Sequence, residues 1–191
     1  LTNQPVLERI VDYVESKNRL ARKEVQLHLE SDLRSLDETR ITWLVEHNVQ
    51  IIARLDEAIE DSEHPAQTWI PKIHEALAAQ DGDVQSAGVE IRVRLSGNPA
   101  QALKAIQMAV DLGVSRLDLS PSVPLVIDGQ PAMDPNLWLN AYGEALCKIL
   151  GLNADGANIV ERFSADLLSS ILNGSRPSRS SMRSPATDGI G

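Results

Sequence analysis

Apolar positions in the first third of the chain recur at helical spacing. Over residues 5–17, Val6, Leu7, Ile10, Val11 and Val14 share one side while Glu8, Arg9, Asp12 and Glu15 share the other, which predicts an amphipathic helix. The run 22–30 sets Val25 and Leu29 together and predicts a second. Ser35 then precedes Glu38 by three residues, the spacing of a capping box. Ile41, Leu44, Val45, Ile52, Leu55 and Ile59 follow on one side of a stretch, 37–62, that contains neither Gly nor Pro. Read as one helix it is about 39 Å long at 1.5 Å per residue, enough to lie against a partner helix in a bundle or coiled coil. Pro71 opens a shorter helix over 71–80, with Ile73 and Leu77 inward and Gly82 just past its end.

Near residue 80 the period changes. The polar, Gly-containing run 80–88 reads as a linker. Val89, Ile91, Val93 and Leu95 then alternate with Glu90, Arg92 and Arg94, the signature of a strand with one wet face. Asn98-Pro99 supplies a cap and a first-turn proline, Leu103, Ile106 and Val110 an inner stripe, and Gly113 a stop. The alternating run 116–119 reads as a second strand, so the order predicts one right-handed parallel crossover. A short strand over 124–127 ends at Asp128-Gly129. Asp134-Pro135 starts another helix, ended by Gly151, whose polar stripe is confined to Asn136, Asn140, Glu144 and Lys148. A helix so apolar elsewhere is buried in a core or at a subunit interface. A last helix, 157–173, aligns Val160, Phe163, Leu167, Leu168 and Ile171.

These elements predict an α+β fold, predominantly α-helical. Its expected parts are a helical segment 1–80, a linker 81–88, a small strand–helix–strand domain 89–173 with covering helices, and a disordered Ser/Pro/Arg tail 174–191.

Charge narrows the function classes. The 191 residues carry a net charge of −9, distributed as −7 over 1–82, −4 over 83–173 and +2 over 174–191. Phosphate backbones demand clustered Lys and Arg, which neither folded part supplies, so DNA is a disfavoured partner. A helix-turn-helix reading of 5–48, with 36–47 as the reading helix, meets the further objection that this helix opens on Asp37 and Glu38. No apolar run approaches the length of a membrane span, and the first residues lack the pattern of a signal peptide. The one cysteine, Cys147, excludes an internal disulfide and suits a reducing, cytoplasmic setting.

Reactive groups are sparse in the sequence. His28, His47, His64 and His74 are scattered, and the spacings Glu24/His28 and Glu60/His64 provide two ligands where a metal needs more. Cys147 lies on the most apolar helix and reads as a structural thiol. No nucleophile elbow, Walker loop or dinucleotide fingerprint occurs, so neither cofactor nor metal is expected. Asp118 opposite Arg92 reads as a cross-strand pair. Ser96, Gly97 and Asn98 leave a strand at a helix start, the geometry that holds small anions. The sequence therefore predicts a non-enzymatic adaptor, assembly factor or regulator. It would meet its own copies or a protein partner through Ile41, Leu44, Ile52, Leu55, Ile59, Trp138 and Tyr142. A DNA-binding regulator with a C-terminal dimerising or ligand-sensing domain is the alternative.

Overall fold

A computed structural model describes residues 4–21, 25–55, 64–79, 88–95, 97–121, 126–127, 130–131 and 134–172. In chain order the elements are α1 (Gln4–Ala21), β1 (His28–Ser31), α2 (Glu38–Glu46), β2 (Gln50–Arg54), α3 (Pro65–Ala78), β3 (Glu90–Leu95), α4 (Pro99–Asp111), β4 (Arg116–Pro121), β5 (Val126–Ile127), β6 (Gln130–Pro131), α5 (Pro135–Ala154), β7 (Val160–Glu161) and α6 (Arg162–Leu172). Strands β1, β2, β3, β4 and β7 form one sheet in that spatial order, every neighbouring pair parallel. Strands β5 and β6 make a separate antiparallel hairpin. Strand order follows chain order without reversal, and crossovers of one hand then stack their helices on one side of the sheet.

This corrects the predominantly helical α+β expectation: the architecture is parallel α/β, and the crossover around α4 is one of several. The described part of the predicted 37–62 helix, residues 37–55, is a helix followed by a strand, and residues 56–62 lie outside the described residues. Asp37 caps α2 by accepting from the Arg40 amide at 2.8 Å, and the helix gives way at Asn48, whose φ of 52° is left-handed. Asn tolerates that conformation better than most side chains. Beyond it Gln50, Ile51, Ile52 and Ala53 are all buried: Ile51 and Ala53 join the apolar cluster under the helices, while Ile52 lies on the opposite face with Glu30 and Glu90 on either side in register. A strand buried at successive positions loses its period of two, and Ile52 and Leu55 happen to extend the helical spacing of Ile41 and Leu44. The predicted helix 22–30 fails similarly, since His28–Ser31 is the edge strand β1. Likewise the start of the last predicted helix is β7, and α6 begins at Arg162.

The better-patterned segments agree with expectation. Asn98 and Asp134 accept from the amides two residues on, at 3.0 and 2.9 Å, with Pro99 and Pro135 in the first turns of α4 and α5. His64 does the same for α3 through Nδ1 at 3.1 Å from the Ala66 amide, so that helix starts six residues before the expected Pro71, which lies inside it. Strand β2 pairs with β3 (Ile52↔Glu90, Ala53↔Ile91, Arg54↔Arg92), so one sheet contains strands from both sides of the linker 81–88. Residues 80–87 and the tail 174–191 lie outside the described residues.

Alternation then sorts the strands. Ala53, Leu55, Ile91, Val93, Leu95, Leu117 and Leu119 join Ala102, Ala105, Ile106 and Ala109 of α4 and the buried side of α2 and α3 in one apolar cluster. The opposite face carries Glu30, Arg54, Glu90, Arg92, Arg94, Arg116, Asp118 and Ser120.

Candidate functional site

That polar face is the candidate site, and Arg92 on β3 is its hub. Register places Arg92 directly across from Asp118 of β4, and Arg92 Nε donates to Asp118 Oδ2 at 2.8 Å. Its Nη1 donates to Glu30 Oε2, reaching over β2 to β1, while Nη2 lies 3.9 Å from Glu90 Oε1. Only a guanidinium fork serves three carboxylates in such different directions. Two further arginines extend the network: Arg94 Nη2 lies 3.8 Å from Glu30 Oε1, and Arg162 Nη1, at the start of α6, donates to Glu90 Oε1 at 3.3 Å. Burial alone would make Arg92 easier to deprotonate, but Asp118, Glu30 and Glu90 outweigh it and hold its pKa above the ordinary arginine value. His28, at the start of β1 on the same face, is pushed the other way. Partial burial first, then the cations Arg162, Arg92 and Arg116, lower its pKa against the opposing pull of Glu90.

Among the described residues, this face holds five arginines (Arg54, Arg92, Arg94, Arg116, Arg162) against three carboxylates (Glu30, Glu90, Asp118). The strands run toward Arg94 and Ser120, so the carboxyl ends carry cationic and hydroxyl groups. Those ends are where parallel α/β sheets receive small ligands. No group of three or more His, Cys, Asp or Glu suited to a metal occurs among the described residues.

A second polar cluster lies behind the sheet. Glu161, the last residue of β7, is buried and accepts from Tyr142 Oη at 2.6 Å and from the amides of Ser164, Phe163 and Leu119 at 2.8, 3.2 and 3.4 Å. It thereby caps α6 and ties it to β4 and α5. Burial, and then the hydrogen bond to Glu161, raise the Tyr142 pKa well above its ordinary value. Four donors on one buried carboxylate serve a structural role.

The chain is similar in fold to a solved protein, histidine-tagged anSMEcpe with bound AdoMet. The match has a TM-score of 0.64 over 92% of this chain and 50% of that one, at 13% identity. The present chain thus spans about half the length of the chain it matches. No protein-family model and no curated protein matches it. At that identity the likeness is one of fold. It overturns the expectation of a non-enzymatic adaptor built as a helical bundle or coiled coil: the chain has the parallel α/β fold of an AdoMet-bound protein, and the long helix that motivated the adaptor is α2 plus β2. The expectation that the chain is not an enzyme is withdrawn on the same finding. The helix-turn-helix alternative also goes, because its supporting helix contains β1, and Ile41, Leu44 and Val45 pack α2 into the core.

Of the residues singled out in the sequence, Ile41, Leu44, Ile52 and Leu55 are core residues with no exposed face, and Ile59 lies outside the described residues. Trp138 is half-buried and stacks on Tyr142, ring centres 4.9 Å apart, with the Tyr142 hydroxyl bound to Glu161. Ser96 lies outside the described residues. Gly97 has φ +91°, and a Cβ there would meet Leu137 Cβ at 3.2 Å, so the turn is shaped by close packing against α5. Asn98 has its side-chain oxygen on the Ala100 amide. Cys147 is exposed, contrary to the expected buried thiol, and His64 is buried as the cap of α3. Arg92 and Asp118 do form the anticipated cross-strand pair. Sequence reasoning missed Glu30, Arg162 and Glu161. The alternation of 89–95 did mark Glu90, Arg92 and Arg94 as one face, but their partners come from segments read as helix.

Proposed function

We propose that this chain is the parallel α/β part of an enzyme that binds AdoMet, or a related amino-acid nucleoside, on the charged face of its sheet. One observation carries the reading: guanidinium and carboxylate groups from β1, β3, β4 and α6 converge around Arg92 on the face the helices leave open. The donor set fits such a ligand. Arg94, near the carboxyl end of β3, suits its carboxylate, while Glu30 and Asp118 suit its ammonium and ribose hydroxyls. When bound, AdoMet supplies carbon centres activated by the adjacent sulfonium. The chain's own residues bind and orient, with Arg92 holding the acidic side chains in fixed positions. The AdoMet-bound protein of the same fold supports the reading. No helix among the described residues is long and apolar enough to cross a membrane. A reducing compartment such as the cytoplasm suits the one exposed thiol.

Calorimetric titration of the full chain with AdoMet and with S-adenosylhomocysteine tests it. Binding is expected, weakened about tenfold or more by Arg94→Glu, since one lost charge-assisted contact is worth roughly 1.5–3 kcal/mol. Absence of binding for both compounds at millimolar concentration overturns the proposal.

A further inference from the structure

We propose that the amino end of the charged face is a subsite for an oxyanion, a carboxylate or a phosphate group, built on Gln50 and His28. Five polar residues are buried among those described: Ser31, Gln50, His64, Glu90 and Glu161. Four have evident partners. Ser31 Oγ accepts from the Leu33 amide, His64 caps α3, Glu90 meets Arg162, and Glu161 takes four donors. Gln50 is 3% exposed, and among the described residues its side-chain amide has no hydrogen-bond partner. Burying an amide in that way is costly, which marks the position as one that answers to a ligand.

Register fixes where the amide lies. Gln50 pairs with His28 of β1, and Ile51 beside it turns into the apolar cluster, so Gln50 shares the charged face with His28. Two residues further along, Glu90 and Arg116 pair across β3 and β4. The surroundings are cationic: Arg92, Arg116 and Arg162 stand against Glu90, whose Oε1 lies 3.3 Å from Arg162 Nη1 and 3.9 Å from Arg92 Nη2. Burial, and then the same three cations, lower the His28 pKa against the pull of Glu90, so the ring is uncharged at neutral pH and offers an N–H. Amide and imidazole N–H groups beside an excess of guanidinium suit acceptor oxygens that carry negative charge, whereas an ammonium would meet three arginines. At the same end, a Cβ added to Gly88, two residues before Glu90, meets nothing within 4 Å. Arg94, the proposed AdoMet contact, lies six residues farther along the strands, about 20 Å away, so the two sites are separate.

Side-chain NMR of the isotope-labelled full chain tests this at neutral pH and constant ionic strength, with inorganic phosphate and sodium acetate as separate probes. At least one is expected to shift the Gln50 amide and His28 ring signals saturably, with a dissociation constant of about 1–10 mM, as a few charge-assisted contacts to a small anion give. Saturation by phosphate alone or by acetate alone supports the site and says which anion it takes. Gln50→Leu keeps the bulk and weakens binding, read on His28, by about tenfold or more. Its urea midpoint does not fall, since the amide it removes has no partner. Arg116→Gln weakens binding similarly and is the companion should Gln50→Leu fold poorly. No saturable shift with either probe up to about 50 mM, or undiminished binding by both variants, overturns the proposal. AdoMet is absent from both titrations, so failure of the AdoMet reading leaves this result unchanged.

Discussion

Replacing Arg92 by Met asks what the hub contributes. The substitution keeps a long apolar stem and removes the cation from three carboxylates on three strands. Severing a fully buried ion pair costs about 3–5 kcal/mol, because the surviving charge stays dehydrated. Here the side chains of Arg92 and Asp118 are 23% and 16% exposed, so water relieves part of that penalty. Glu90 also retains Arg162, and Glu30 retains Arg94. A loss of about 2–3 kcal/mol follows, mostly from stranding Asp118. With a urea slope of about 2 kcal/mol/M for a domain of this size, the midpoint falls by roughly 1–1.5 M. Unfolding followed by circular dichroism measures it. Asp118→Asn serves as the second arm of a double-mutant cycle, in which the two losses combine to less than their total by about 1 kcal/mol or more. A single-variant loss below about 0.5 kcal/mol, or strict additivity, refutes the claim that Arg92 organises this face.

Two further outcomes are expected. Glu161→Gln replaces a carboxylate that takes four donors, so it lowers stability by about 2 kcal/mol and couples to Tyr142→Phe in a cycle. In the same variant the phenolate absorbance of Tyr142, displaced above the ordinary 10.0, moves back toward it. His28 is harder to protonate in the folded chain than at its ordinary value of 6.5, so the unfolded chain binds more protons below that pH. Its contribution is therefore complete above pH 6.5 and is lost as pH falls through the lowered folded value. Urea midpoints of wild type and His28→Gln compared across pH 7.5 to 5 show wild type losing more stability on acidification; parallel curves contradict the assignment.

How much of this was legible depends on where burial leaves a pattern. Strand β3 keeps an apolar side toward α4 and a charged side away from it, so its alternation survives in the sequence. Helices α4 and α5 announce themselves through Asn98-Pro99 and Asp134-Pro135, whose cap bonds are formed as expected. Strand β2 has no such contrast, since Gln50 to Ala53 are all buried. At Asn48 nothing as emphatic as Gly or Pro marks the break. The site suffered from the same loss. Arg92 and Asp118 were legible because they sit on the two strands that were recognised. Glu30 needs β1 to be a strand, and Arg162 needs the chain to return beside β4 before its charge meets Glu90. Glu161 has no sequence signal, for a carboxylate on a two-residue strand is buried only once α5 and α6 surround it.

The charged face calls for a cause beyond the fold. The apolar cluster shared by the strands and helices holds the sheet together, and it lies on the other side. A face needed only for solubility is served by scattered, well-hydrated groups at little cost. Instead Glu90, Asp118 and Arg92 are largely withdrawn from water, where ion pairing returns at best what desolvation takes. Sequences that break the local rule in one place usually do so at a functional site. Arginine rather than lysine at the hub strengthens the point, because the fork fixes several acidic oxygens at once and a flexible ammonium does not. Held in that way, Glu30 and Asp118 present oriented acceptors, Glu30 beside the cation Arg94, which is the preorganisation that recognition of a ligand bearing both charges requires.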